Sequence, residues 1–182
     1  MDNSRVTQIS KYLSYHLRHK PEKIGLSIQL GGWVGVEELL SLAEKHGFLI
    51  TREELEIVVK NNNKQRFSFD ESGERIRANQ GHSIAIDLQL TPQIPPDLLY
   101  HGTGDRFVAS ILAKGLLKMS RHHVHLSGDR ETARQVGMRH GKPVIFSIDS
   151  AQMYRNSYQF YRSENGVWLV DAVPPIYLSQ LP

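Results

Sequence analysis

The chain has 182 residues, 40% hydrophobic and 23% charged, an ordinary composition for a folded protein that forms one compact body or two small lobes. It contains no cysteine, which excludes disulfides and thiolate metal sites, and we expect a reducing cytoplasm as its compartment. The net charge of +3 does not by itself indicate a nucleic-acid-binding protein, so an anion site must depend on local arginines.

The first half of the sequence predicts three helices. Apolar residues at helical spacing from Val6 to Leu17 predict the first, which Pro21 limits. Residues 36–46 have an amphipathic pattern and predict the second. Thr51, with Glu54 three residues later, has the spacing of a capping box and predicts the start of the third.

Strand patterns complete this half. Residues 28–34 alternate around a Gly-Gly turn and predict a short ribbon, and residues 66–69 and 75–78 predict a hairpin with arginines on one face. Helices followed by a two-stranded ribbon are the order of a winged-helix module, which we predict for residues 1–90. A small α+β lobe with a solvated basic face is the alternative.

The second half is richer in strands. Residues 84–96 contain three prolines and lose helical periodicity, so we place a lobe boundary there and a second lobe at residues 91–182. The fold class expected for the whole chain is α+β. We predict helices near 105–114 and 129–140, and strands near 98–101, 124–127, 144–148, 158–162, 167–170 and 176–178.

Tyr100-His101-Gly102-Thr103 is the first polar cluster of the second half. A histidine at a strand end, followed by a glycine that lets the backbone approach a ligand and by a hydroxyl, suits a binding site. Taken alone, such a histidine is more often a packed or capping residue.

The segment 121–127, Arg-His-His-Val-His-Leu-Ser, is the second polar cluster. Strand alternation puts His125 and Ser127 on one face and two apolar residues on the other, as in a strand that lines a cleft. His123 and His125 also have metal-ligand spacing. Because the chain has no cysteine and no carboxylate lies beside this cluster until Asp129, we predict no metal site.

Two basic clusters lie in the first half. Arg18, His19 and Lys20 end the first helix, where cations are favourable because of the helix dipole alone. Lys64 and Arg66 precede the hairpin, and the basic face of a wing would account for them. Taken separately, each cluster therefore has a structural explanation.

Together, the clusters resemble the RNA 2′-phosphotransferases of the KptA family in their residues and in their order along the chain. The resemblance extends over nearly the whole chain. The segments that carry it are 17–21 (LRHKP), 64–68 (KQRFS), 100–103 (YHGT), 121–127 (RHHVHLS), 132–141 (TARQVGMRHG) and 164–168 (ENGVW).

The resemblance implies a winged-helix-like lobe joined to a β-rich lobe like that of ADP-ribosyltransferases. It implies a two-step reaction with NAD as co-substrate and no metal. The 2′-phosphate of an RNA, such as that at a tRNA splice junction, displaces nicotinamide from NAD. A ribose hydroxyl then attacks the phosphate, which yields 2′-hydroxyl RNA and ADP-ribose 1″,2″-cyclic phosphate.

The resemblance assigns the phosphate chemistry to Arg18, His19, Arg66 and Arg121. A phosphate monoester dianion needs positioning and charge stabilisation more than a general base, and the planar fork of arginine supplies both. His19 is the candidate for proton transfer in the second step. Arg18 and His19 diverge by about 100° on a regular helix, so they converge only if the helix ends there.

The resemblance also assigns an NAD site. It comprises the three residues His101, Gly102 and Thr103, the pair His125 and Ser127 on the next strand, Val167 on a later strand, and Arg134 and Arg139 on the helix between. Many ADP-ribosyltransferases carry a glutamate where Val167 stands, and its loss suits an anionic nucleophile. A register in which Glu164 enters the site stays open, as does a solvated role for Arg134 and Arg139.

The expected partner is an RNA that carries an internal 2′-phosphate, with Lys64 on a nearby RNA phosphate. We expect a monomer with no membrane partner, since no apolar run approaches the roughly 18 residues of a span. One alternative is an ADP-ribosyltransferase that modifies terminal nucleic-acid phosphates or protein. Another is a winged-helix binding module whose second lobe is not catalytic.

Overall fold

The computed structural model of the chain describes residues 1–61 and 65–182. It divides into two compact units, Met1–Gln89 and Leu90–Pro182. Each unit has its own cluster of buried apolar side chains and combines helices with antiparallel strands. The α+β class expected from the sequence is confirmed.

Helix α1 (Asn3–Arg18) is the first element of the first unit. Asp2 caps it, since its carboxylate accepts a hydrogen bond from the Arg5 backbone N–H at 2.7 Å. Ile9, Leu13 and Leu17 of its apolar stripe are fully buried, and Val6 is partly buried against the same core. The helix ends at Arg18, and Pro21 then begins a short 3-10 turn.

Helices α2 (Val36–Lys45) and α3 (Arg52–Lys60) pack with α1 around the core of the first unit. The predicted capping box is confirmed: Thr51 accepts from the Glu54 backbone N–H and Glu54 accepts from that of Thr51, both at 3.2 Å. Arg5 joins α1 to α3 through two 2.8 Å hydrogen bonds to the Glu54 carboxylate.

The sheet of the first unit contains β1 (Val34–Gly35), β2 (Phe67–Phe69) and β3 (Arg75–Ala78) in the order β1-β3-β2. The predicted hairpin is confirmed, with Phe67 opposite Ala78. The ribbon predicted at 28–34 is wrong in its strands, although the Gly31-Gly32 turn is present and the Gln29 N–H donates to the Trp33 carbonyl across it at 2.8 Å. Residues Leu30–Gly32 form a 3-10 turn, and Val34 pairs with Ile76 of β3 instead.

Two antiparallel sheets contain most of the strands of the second unit. One has the order β11-β7-β4, built from β4 (Leu98–Gly104), β7 (Pro143–Asp149) and β11 (Leu178–Gln180). The other has the order β6-β9-β8, built from β6 (Val124–Leu126), β8 (Tyr161–Arg162) and β9 (Trp168–Val170). Two short strands, β5 (Leu116–Leu117) and β10 (Ala172–Val173), pair separately.

The helices of this unit are α4 (Val108–Lys114), α5 (Arg130–Gly137) and α6 (Ser150–Arg155). Helix α5 packs directly on β4. A Cβ atom added at Gly102 would lie 1.6 Å from the Ala133 carbonyl oxygen, and one at Gly137 would lie 2.9 Å from that of Thr103. Both glycines therefore let a helix backbone touch a strand backbone.

Two strand predictions in this unit need correction. Residues 176–178 lie mainly in a 3-10 turn, Pro175–Tyr177, because Pro174 and Pro175 lack the N–H donors that a ladder requires, and the strand begins at Leu178. The strand predicted at 158–162 is limited to Tyr161–Arg162. No helix of the described ranges is long and apolar enough to cross a membrane.

Candidate active site

The end of α1 carries Arg18 and His19, the first pair of predicted site residues. Arg18 is the last helical residue, and His19 has left helical geometry, with φ −127° and ψ −44°. Ser83 fixes both: its N–H donates to the Arg18 carbonyl, and its hydroxyl lies 2.9 Å from His19 Nδ1. The helix thus ends where convergence of the two side chains requires it.

Arg66 lies beside this pair, so the first unit brings three predicted residues together; we call Arg18, His19 and Arg66 the α1 cluster. The Arg18 guanidinium donates to the Arg66 carbonyl at 3.5 Å and lies 5.7 Å from the centre of the Phe67 ring. His19 and Arg66 also line one groove along α1.

The backbone that presents Arg66 is held by Asn79. Its amide donates to the Gln65 carbonyl at 2.7 Å, and its N–H donates to the Arg66 carbonyl at 2.9 Å. Gln65 has φ 40°, a left-handed conformation that is uncommon for a residue with a side chain. Such strained residues persist where their surroundings hold them. Asn79 and Ser83 are therefore positioning residues that no sequence pattern indicated. Lys64, the predicted RNA contact, lies outside the described residues.

His101 is the centre of the predicted site in the second unit. Its Nδ1 lies 3.1 Å from the His125 carbonyl, and because a carbonyl only accepts, Nδ1 carries the proton. Neutral His101 then has Nε2 as its acceptor. Burial lowers the pKa of His101 below its usual value, and the charges of His140 and Arg121 lower it further. The hydrogen bond to the His125 carbonyl acts in the opposite direction and raises this pKa.

The β4 cluster, as we name His101, His125 and Ser127, forms where the two sheets meet. Tyr100 of β4 and Ser127 exchange backbone hydrogen bonds of 2.9 and 2.7 Å. This bridge joins the middle of β4, where His101 lies, to the end of β6, so the predicted neighbours do lie together. The strand end expected at His101 is wrong, because β4 continues to Gly104 by pairing with β7. Thr103 is buried further along β4.

Val167 lies next to the same junction. Leu126 pairs with Trp168, so the β6–β9 register continued by one residue places Val167 opposite Ser127. Val167 also closes a turn, since its N–H donates to the Ser163 hydroxyl at 3.1 Å. Glu164 is exposed in that turn, before the strand begins. The register therefore places Val167, rather than Glu164, opposite Ser127.

Arg121 precedes β6 in a turn where its N–H donates to the Lys118 carbonyl at 3.0 Å. It is exposed, yet its charge acts on His101. His123 contacts the Tyr161 ring at 5.4 Å, and burial lowers its pKa. Within residues 1–61 and 65–182, no group of three or more His, Cys, Asp or Glu side chains could hold a metal ion.

Arg134 and Arg139 are both exposed, but only Arg134 lies on α5, whose face on β4 is formed by Ala133 and Gly137. The helix expected to carry both ends at Gly137, and Arg139 lies in the 3-10 turn Met138–His140. The geometry of the two arginines fits solvated charges as well as contacts to a ligand. Gly102 has a packing reason to be glycine, in addition to the ligand approach expected from the sequence.

Comparison with known proteins gives a consistent result. Residues 4–172 match the model of the family described as RNA 2′-phosphotransferase, Tpt1 / KptA family. A "Probable RNA 2′-phosphotransferase" of Trichormus variabilis is 62% identical over 181 residues, covering 100% of both chains. A protein of the same name from Streptomyces griseus is 52% identical, and the match covers 98% of both chains. Another from Pectobacterium carotovorum is 48% identical, and the match covers 100% of this chain and 98% of the relative.

Proposed function

Since the chain belongs to the RNA 2′-phosphotransferase family, we propose that it uses NAD as co-substrate to remove an internal 2′-phosphate from RNA. In the first step, a phosphate oxygen forms a bond to C1″ of the nicotinamide ribose and the glycosidic bond to nicotinamide breaks. In the second, the 2″-hydroxyl attacks phosphorus, the bond from phosphorus to the RNA 2′-oxygen breaks, and that oxygen takes a proton.

The observation that carries the proposal is that the first unit holds Arg18, His19 and Arg66 in fixed backbone positions. In the α1 cluster, Ser83 and Asn79 hold the backbones that present Arg18, His19 and Arg66. Two arginines and a histidine suit a dianionic phosphate, because charge-assisted hydrogen bonds position the nucleophile and stabilise charge that develops on its oxygens.

The β4 cluster suits the ribose of NAD. His101, proton on Nδ1 and kept neutral by burial, offers Nε2 as an acceptor for a ribose hydroxyl. A protonated imidazole there would repel the positively charged nicotinamide ring. The apolar Val167 places no carboxylate beside Ser127, so nothing at that position repels a phosphate. NAD, once bound, supplies the reactive C1″ carbon.

The proposal also assigns a fold type to each unit: winged-helix-like for the first and ADP-ribosyltransferase-like for the second. In the first unit the order α1-β1-α2-α3-β2-β3, with a sheet ordered β1-β3-β2, supports a winged-helix-like module. In the second, two sheets joined beside His101 support a nucleotide-binding lobe. A monomer acting in the cytoplasm on tRNA or a similar RNA completes the proposal.

The test uses an RNA with one ³²P-labelled internal 2′-phosphate, incubated with and without NAD and with no added metal. We expect NAD-dependent transfer of the label to ADP-ribose 1″,2″-cyclic phosphate, unaffected by a chelator. Arg66→Ala and Arg121→Ala should slow the reaction by roughly 100-fold or more, as loss of one charge-stabilising donor does. Arg155→Ala, at the exposed end of α6, is the control.

The variants also separate the two steps. One that accumulates RNA-2′-phospho-ADP-ribose is defective in the second step, and we expect His19→Asn to do so with an altered pH–rate profile. An unchanged profile and second-step rate would remove His19 from proton transfer. If NAD binds but the label stays on the RNA, the chain is instead an ADP-ribosyltransferase with another acceptor.

A further inference from the structure

A groove of about 590 Å³ runs along the exposed face of α1 in the first unit. His19 and Arg66 line it, and so do Lys11 and Tyr15 on α1, residues to which the reaction above assigns no role. Its volume is that of a small-ligand pocket, which is commonly about 300–1,000 Å³. The groove therefore extends from the α1 cluster over neighbouring surface.

The lining of the groove suits a polyanion. Besides Lys11, His19 and Arg66 it includes hydroxyl groups of Thr7, Ser10 and Ser14, and none of the described residues that line it is an Asp or Glu. Lysine and hydroxyl side chains are common contacts to nucleic-acid phosphates, which they position without reading sequence. From Thr7 to Arg18 the helix rises about 16 Å, which is long enough for several nucleotides.

Tyr15 adds an aromatic surface to this polar groove. It lies one helical turn before His19, and 46% of its surface is exposed. Its ring also contacts His16 edge-on, at 5.0 Å between ring centres, which restricts its orientation. An exposed, oriented aromatic ring among cationic and hydroxyl side chains is the combination that binds single-stranded nucleic acid by stacking.

We propose that this groove holds the single-stranded RNA that flanks the 2′-phosphate, with a base stacked on Tyr15 and a backbone phosphate on Lys11. The inference rests on the proposed function, because the 2′-phosphate would bind at the His19–Arg66 end. If the groove binds RNA in this way, Lys11 and Tyr15 determine which RNA lengths bind best. A substrate too short to reach these two residues gains no affinity from them.

The test measures KM and kcat for 2′-phosphorylated RNAs with zero to five nucleotides on either side of the phosphate. Wild-type KM should fall as one flank lengthens. On the long RNA, Lys11→Ala and Tyr15→Ala should each raise KM roughly ten-fold, the order of one stacked base or phosphate contact, with kcat unchanged. On the shortest RNA, neither substitution should change KM.

Matched variants make the result specific. Tyr15→Phe keeps the stacking surface and should behave as wild type, and Lys45→Ala, on an exposed lysine at the end of α2, is the charge control. Lys11→Ala should also lower the slope of log KM against log salt by about 0.7, the value for one phosphate of a single strand.

Two negative outcomes are distinguishable. If the wild type removes no 2′-phosphate from any RNA in the presence of NAD, the proposed function fails. If it is active but Lys11→Ala and Tyr15→Ala keep the wild-type KM and length preference, the function stands and the RNA groove is refuted. An equal rise of KM on short and long RNAs would also refute it, because it would show an indirect effect on the α1 cluster.

Discussion

Replacing Gly102 by alanine tests whether the packing of α5 on β4 holds the β4 cluster in place. The new Cβ atom would lie 1.6 Å from the Ala133 carbonyl oxygen and 2.5 Å from its carbon. Ordinary contact begins at 3.4 Å, so helix and strand must separate by roughly 2 Å in a close-packed interior. Both obstructing atoms are backbone, so no side-chain rotation relieves the clash.

We expect Gly102→Ala to cost about 3 kcal/mol, the upper part of the range for overpacking. That corresponds to a fall in Tm of at least about 6 °C. NAD affinity should fall too, because His101 immediately precedes Gly102 on the same strand. Gly128→Ala is the matched control, since a Cβ there meets no atom within 4 Å. The measurements are thermal and urea unfolding with NAD titration. Equal stability of the two variants would refute the packing argument.

Two further predictions concern charge. Arg5→Ala should lower the free energy of unfolding at pH 7 by about 1 kcal/mol. Urea unfolding measures this loss, and Lys45→Ala is the control variant with which it is compared. The hydrogen bond from Arg5 lowers the pKa of Glu54, so this difference should fade as pH drops below about 4.3, and a constant difference would contradict the ion-pair account. His101, its pKa lowered mainly by burial, should titrate below about 6.5 in NMR, and Arg121→Gln should raise that pKa. As pH falls, the unfolded state binds a proton at His101 before the folded state does, so the free energy of unfolding should decline below about pH 6.5. A measured His101 pKa above about 6.5 would contradict the conclusion that burial lowers it.

Local signals in the sequence predicted local structure well. The capping box at Thr51 and the strand pair 67–69 and 75–78 involve residues close in the chain, so propensity and pattern determine them. The ribbon at 28–34 failed because Val34 pairs with Ile76, more than forty residues away, and alternation does not specify a partner. Helix α6, six residues long, is too short for a helical period to be recognised.

The candidate site shows a similar division. Residue types and order identified the assigned residues, but the groups that position them are mostly backbone atoms. His101 is oriented by the carbonyl of His125, Arg18 by that of Arg66, and Gly102 is confined by that of Ala133. Since every residue has a carbonyl, such partners leave no mark in the sequence.

His125 has two separate roles, one for its backbone and one for its side chain, and the sequence alone does not distinguish them. Its backbone carbonyl sets the tautomer of His101, whereas its side chain belongs to the face of β6 expected to line the NAD site. Substitution at His125 removes the side chain but keeps the acceptor. A change in NAD binding on substitution of His125 therefore reports on its imidazole, whereas any substitution that moves β6 away from β4 acts on His101 as well.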